Sequence, residues 1–158
     1  MKQKINSGFT LLEVLVVIAV FSMLLGLLTI NLINSEPKAS LNLDTATVIA
    51  DIRNQQLKAM TGNSYNNFPS AYGVYLEAYS YTLFAGDSFN SNDPGNAVFN
   101  LPENTSFENI TFPGSIIVFQ KGNGEISAGG NSFRIRNSIS GESKLVTFNK
   151  LGVVTSVQ

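Results

Sequence analysis

The chain of 158 residues contains no cysteine, no histidine and no tryptophan. Without cysteine there is no disulfide framework, no thiolate nucleophile and no sulfur ligand for a metal. Without histidine the usual general base and the commonest metal ligand are both missing. Catalysis by carboxylates alone stays possible, so an anchored enzyme is a rival reading that both absences weaken. Charge is scarce as well. Charged residues make up 13% of the chain, against about 25% in an ordinary soluble domain. The net charge of −1 does not call for nucleic acid.

The apolar excess is concentrated at the N-terminus. From Val14 to Ser35 no residue is charged, and about 20 apolar residues suffice for a helix to cross a bilayer. Lys2 and Lys4 precede the run, which puts the N-terminus in the cytoplasm and everything after Pro37 outside. No small-residue cleavage pattern follows the run, so it reads as a retained single-pass anchor rather than a secretory signal. Ala19, Ser22 and Gly26 within it permit close helix packing.

Glu13 is out of place in such a segment. An acid at the centre of a spanning helix costs about 2.5–3.5 kcal/mol on insertion scales, and less near an end. Two readings are open. The side chain reaches back to the interface beside Lys4, or it meets a positive charge at its own depth. A new N-terminal amine, made by cutting the leader just before the apolar run, would be such a charge.

The stretch GFTLLEVLVVIAVF resembles the class III signal of type IV prepilins and of the pseudopilins of type II secretion. It has a short basic leader ending in Gly8, then Phe9, then Glu13 at a fixed offset inside an apolar run. The resemblance implies that a prepilin peptidase cuts Gly8–Phe9, that Phe9 becomes the N-methylated first residue, and that Glu13 acts in assembly with Phe9. It implies as partners other pilin or pseudopilin subunits and an inner-membrane assembly platform. It implies no cofactor, no metal and no enzymatic activity. The implied location is the inner membrane first and a periplasmic or cell-surface filament later.

Beyond the anchor, Pro37 is a point where a helix can end or kink. ASLNLDTATVIADIRNQQLKAMTG then reads as an amphipathic helix. Leu41, Val48, Ile49, Ile52, Leu57 and Met60 are expected on its core face, Ala46 and Ala59 beside them, and Asp44, Asp51, Arg53 and Lys58 outward. Gly62-Asn63 is a stop signal. The spacing predicts one helix from about Phe9 to Met60.

From Ala71 onward the pattern is β. Strands are expected in AYGVYLEA, YSYTLFAG, NAVFNLP, ENITF, SIIVFQ, GEISAG, SFRIRNS, KLVTFN and GVVTSV, with a closing hairpin around Asn149–Gly152. The expected fold is therefore α+β. A long N-terminal helix, membrane-embedded in its first half and amphipathic in its second, packs on a C-terminal antiparallel sheet domain. The expected segments are a leader (1–8), an assembly helix (9–35), its amphipathic continuation (36–62) and a β-rich head (63–158). The order of elements is similar to the GspH/FimT group of minor pseudopilins, and the absent C-terminal disulfide points the same way.

That resemblance implies a minor pilin or pseudopilin. The alternative is a filament-tip subunit binding DNA or a secreted protein through Arg134, Arg136 and Lys144. The region after Glu108 holds five Lys or Arg against two acids, while the stretch from Glu77 to Glu108 holds five acids and no base. The plainer reading of Arg134 and Arg136 is a solvated strand face. GDSFNSNDPGNA reads as an ordinary flexible loop rather than a calcium site. Asp87, Asn90, Asn92 and Asp93 cluster oxygens there, but without EF-hand spacing or a closing glutamate. Tyr72, Tyr75, Tyr79 and Tyr81 read as core and sheet-surface residues.

Overall fold

A computed structural model of the chain describes residues 10–127 and 129–158, and no side chains over residues 27–39. The expected leader lies outside the described residues. The chain divides into two compact units, Met1–Glu36 and Pro37–Gln158.

One α-helix, α1, is assigned over Leu11–Met60 and contributes to both units. Pro37 does not end it. A proline inside a helix removes one ladder hydrogen bond and can kink the helix without ending it. In the first unit every described side chain from Thr10 to Gly26 is exposed, apolar ones included. Among the described residues no helix is long and apolar enough to cross a membrane; residues 27–35 of the expected span are among those whose side chains are not described.

In the second unit α1 buries Leu41, Thr45, Val48, Ile49, Ile52, Gln55 and Ala59. At about 100° per residue these positions form one stripe. Leu57 and Met60, expected on the core face, and Ala46, expected beside it, are exposed; Leu57 sits about 160° round the helix from Leu41. Asp44 and Asp51, expected outward, are half-buried and bonded. Asp51 accepts from the Tyr81 hydroxyl at 2.5 Å, and Asp44 from the Thr105 hydroxyl at 3.4 Å. The helix stops as expected. Gly62 takes a left-handed φ of 68°, and the Asn63 N–H donates to the Lys58 carbonyl at 3.0 Å, which closes a Schellman cap.

Ten strands follow. A two-residue hairpin, β1 (Ser64–Tyr65) with β2 (Phe68–Pro69), precedes the sheets. One sheet contains β3 (Tyr72–Leu76), β4 (Ser80–Ala85), β5 (Ala97–Asn100) and β7 (Ile116–Phe119) in the order β5-β4-β3-β7. The other contains β6 (Thr105–Glu108), β8 (Ser132–Asn137), β9 (Ser143–Phe148) and β10 (Val154–Val157) in the order β10-β9-β8-β6. Every pairing is antiparallel. The chain is therefore α+β, a helix followed by antiparallel sheets. Two expected strands differ. ENITF is replaced by the preceding Thr105–Glu108, and GEISAG keeps a single bridge, Ile126 to Phe119.

The helix stripe and both sheets share one core. Aromatic rings run from sheet to sheet through it: Tyr81 to Phe107, Phe107 to Phe133, and Phe133 to Phe148, with centroids 5.4–6.3 Å apart. Two glutamines join the helix to the head by hydrogen bonds. The Gln55 amide donates to the carbonyls of Gly73 and Phe84 at 3.0 and 3.2 Å. The Gln56 amide donates to those of Gly124 and Leu151 at 3.0 and 2.7 Å. The long polar loop is anchored, not loose. Phe89 stacks on Tyr75 at 4.3 Å, over the face of the first sheet that α1 does not cover.

Candidate functional site

Helix α1 begins at a capping arrangement. Thr10 precedes the first helical residue, and its hydroxyl oxygen accepts from the Glu13 N–H at 3.3 Å. The Thr10 carbonyl accepts from Glu13 and Val14 at 3.1 and 3.2 Å. Thr10-Leu11-Leu12-Glu13 thus has the spacing of a capping box. An acid in the first turn also suits the positive end of the helix dipole, by about 0.3–1 kcal/mol. The T-x-x-E pattern was legible in the sequence and gives Glu13 a local role that the apolar run obscures. The Glu13 side chain is exposed, among exposed leucines and valines, and no cation pairs with it among the described residues. Gly8 and Phe9 lie outside the described residues.

The second candidate is strand β8. Its alternation buries Phe133, Ile135 and Asn137 and turns Arg134 and Arg136 to the other face. Glu108 lies across from Arg134 in register, and its carboxylate stands 3.7 Å from the Arg136 guanidinium. So exposed a pair is worth about 0–1 kcal/mol. Arg134 is half-buried. Lys144 does not join them. It pairs in register with Ile135, so its side chain starts from the opposite face, beside a cleft lined by Leu41, Asn42, Glu142 and Gln158.

The acidic stretch is largely engaged within the subunit. Glu77 accepts from the Ser80 hydroxyl at 2.8 Å, and Glu108 faces Arg136. Asp93 accepts from the Tyr65 hydroxyl, and from the Gly95 N–H at 2.8 Å. The Tyr65 bond, then the Gly95 N–H, hold the Asp93 carboxyl below the usual range. Asn90 spends its side-chain oxygen on the Asn92 N–H at 3.1 Å. These oxygens serve the loop's own turns, and among the described residues no group of acids is placed to hold a metal ion. The Tyr81 hydroxyl is pushed up by burial first and by Asp51 second, so it stays protonated well past the ordinary tyrosine range.

Residues 3–29 match the prokaryotic N-terminal methylation motif. No curated protein and no solved structure matches the chain. The match spans Gly8, Phe9 and Glu13, and it supports a type IV pilin-like subunit: a pilin or pseudopilin precursor cut by prepilin peptidase, methylated at its new N-terminus and assembled with other subunits.

Proposed function

We propose that the chain is a minor pilin or pseudopilin of the GspH/FimT kind. It is held in the inner membrane by the first half of α1 with its N-terminus in the cytoplasm, cut between Gly8 and Phe9, and polymerised through the helix. The segments are then leader 1–8, assembly helix 9–35, amphipathic continuation 36–62 and head 63–158. The observation that carries this reading is an acid, Glu13, in the first turn of α1, where every described apolar side chain from Leu11 to Leu25 is exposed, inside the matched motif. Such a helix needs a lipid or protein cover, since exposed apolar surface of this extent marks an interaction surface. The acid needs a cation within that cover. A trimmed neighbour offers both, apolar helix and free amine.

The order of a helix followed by two antiparallel sheets supports the subgroup. Recognition of nucleic acid is not part of the proposal, because Arg136 already faces Glu108 and Lys144 departs from the opposite face of the sheet.

The test is the mass of the mature chain from its own host. It begins at Phe9 and carries one methyl group. Gly8→Val leaves the full leader in place, because a branched side chain enters where glycine lets the backbone extend into a protease cleft. A wild-type chain that still begins at Met1 overturns the reading.

A further inference from the structure

The two large sheets have β5, β7, β6 and β10 at their edges, and three of those edges are covered, charged or bent. Beside β7, Ile126 bridges to Phe119, and the Ser127 N–H donates to the Val118 carbonyl at 3.1 Å. In β6 the Phe107 N–H donates to the Ala78 carbonyl at 2.8 Å, and Glu108 with Arg136 sets charge along the strand. β10 carries a bulge between Val154 and Ser156. Natural sheet edges are blunted by such devices. β5 has none of them. Ala97, Val98, Phe99 and Asn100 include no charge and no proline, pair with β4 without a bulge, and are all exposed. The Leu101 N–H donates to the Tyr79 carbonyl at 2.8 Å. Bonded and non-bonded pairs alternate along an antiparallel ladder, so Phe99 and Ala97 are the residues that bond to β4. Val98 and Asn100 turn their N–H and C=O outward, and no backbone partner meets them among the described residues.

The surroundings of this edge select its partner. Residues 59–120 hold five acids and no lysine or arginine. Glu77 stands at the Asn100 end, where it accepts from Ser80, the residue paired with Asn100. Glu103 follows Asn100 closely and is exposed. Asp93 stands at the other end, its carbonyl accepting from the Asn96 N–H at 3.2 Å. Hydroxyl donors hold the Glu77 and Asp93 carboxylates without cancelling their charge. The strand shows one apolar side chain on each face. Val98 is 63% exposed; Phe99 is 40% exposed and stacks on Tyr81 at 5.3 Å. We infer that the free edge of β5 takes up an extended segment of another protein, one that alternates apolar with basic side chains, as an added strand. Main-chain bonds to Val98 and Asn100 hold it, and alternation supplies the specificity. Its apolar side chains lie beside Val98, and its basic ones lie over the Phe99 ring, among the acids. A second copy of the chain is the wrong partner, because its own Glu77, Asp93 and Glu103 would face those of the first. The edge belongs to the head alone, so this inference goes beyond the filament reading and does not depend on it.

The probe is a short fluorescent peptide alternating lysine with valine, added to the full-length chain in a non-ionic detergent, with binding read by anisotropy. The same peptide with glutamate for lysine is expected to bind at least about tenfold more weakly. So is the lysine peptide methylated on the alternate backbone nitrogens that face β5, which keeps its charge and side chains and loses its donors. V98P removes an outward donor and no bond to β4, the setting in which an edge strand tolerates proline, and is expected to weaken the lysine peptide about tenfold. V98K leaves the backbone unchanged and sets a like charge on the edge, with a similar expected loss, so the test holds even where V98P fails to fold. These losses together support the edge. A lysine peptide that binds no better than the glutamate peptide overturns it. So does a methylated peptide that binds as well as its parent, and so does binding that V98K leaves unchanged. Self-association of the chain that V98K abolishes would overturn the choice of partner.

Discussion

Glu13→Leu is expected to leave the chain folded and membrane-held but to lower its incorporation into filaments by about 10²–10³-fold. Two roles of the carboxylate compete, and their magnitudes decide. As a first-turn acid in a capping box it is worth roughly 1 kcal/mol at most. That is too little to matter to a helix as long as Leu11–Met60. As the partner of a neighbour's amine, at about 4 Å and an effective dielectric near 20, it is worth ~4 kcal/mol, or close to a thousandfold in an equilibrium. Glu13→Gln separates the roles. The amide keeps the capping geometry and loses the charge, so it is expected to fail almost as badly as leucine. Normal assembly of the glutamine variant would reduce Glu13 to a helix-start residue. Both variants are read by the amount of processed chain in sheared filaments against the amount in the membrane.

The large features were legible because their signals are local. The helix stop at Gly62-Asn63 needs only a residue tolerant of positive φ, and most strands follow from alternation and turn residues. What escaped depends on partners distant in sequence. Leu57 and Gln55 are a case in point. Hydrophobicity puts leucine inside and glutamine outside, yet the structure does the reverse. Gln55 is buried because the carbonyls of Gly73 and Phe84 meet its amide there, and no pattern in the helix announces them. The shift of the ENITF strand has a backbone cause. Asn104 and Asn109 adopt φ of 67° and 50°, so they bracket Thr105–Glu108 and end the extended run before ITF. The β1–β2 hairpin, with Pro69 in a two-residue strand, falls below any periodicity. At the N-terminus the apolar run and its acid were plain, while the arginines and Lys144 show what a one-dimensional count of charge misses. They are near in sequence, but the pleat sends them to different faces.

Gly73→Val is expected to destabilise the head by about 3–5 kcal/mol, a large share of the 5–15 kcal/mol that holds an ordinary domain together. Gly73 lies in β3, between β4 and β7. A Cβ there would stand 2.3 Å from Phe84 Cζ and 2.7 Å from the Ile117 carbonyl oxygen. Neither neighbour can retreat. The Ile117 carbonyl belongs to the backbone of the paired strand β7. The Phe84 ring is buried and meets Phe89 of the covering loop, with centroids 5.5 Å apart. Moving β3 instead would pull the Gly73 carbonyl from the Gln55 amide and so loosen the helix from the sheet. Gly73→Ala carries the same clash with fewer atoms and is expected to cost ~2–3 kcal/mol, lowering the melting temperature by roughly 5–15 °C. The cause is checked by a double-mutant cycle with Phe84→Ala. If the ring is the obstacle, G73A costs at least ~1 kcal/mol less in the F84A background than in the wild type. Strict additivity would shift the blame to the Ile117 carbonyl. A melting temperature unchanged by G73A would mean that β3 does not hold the position described here.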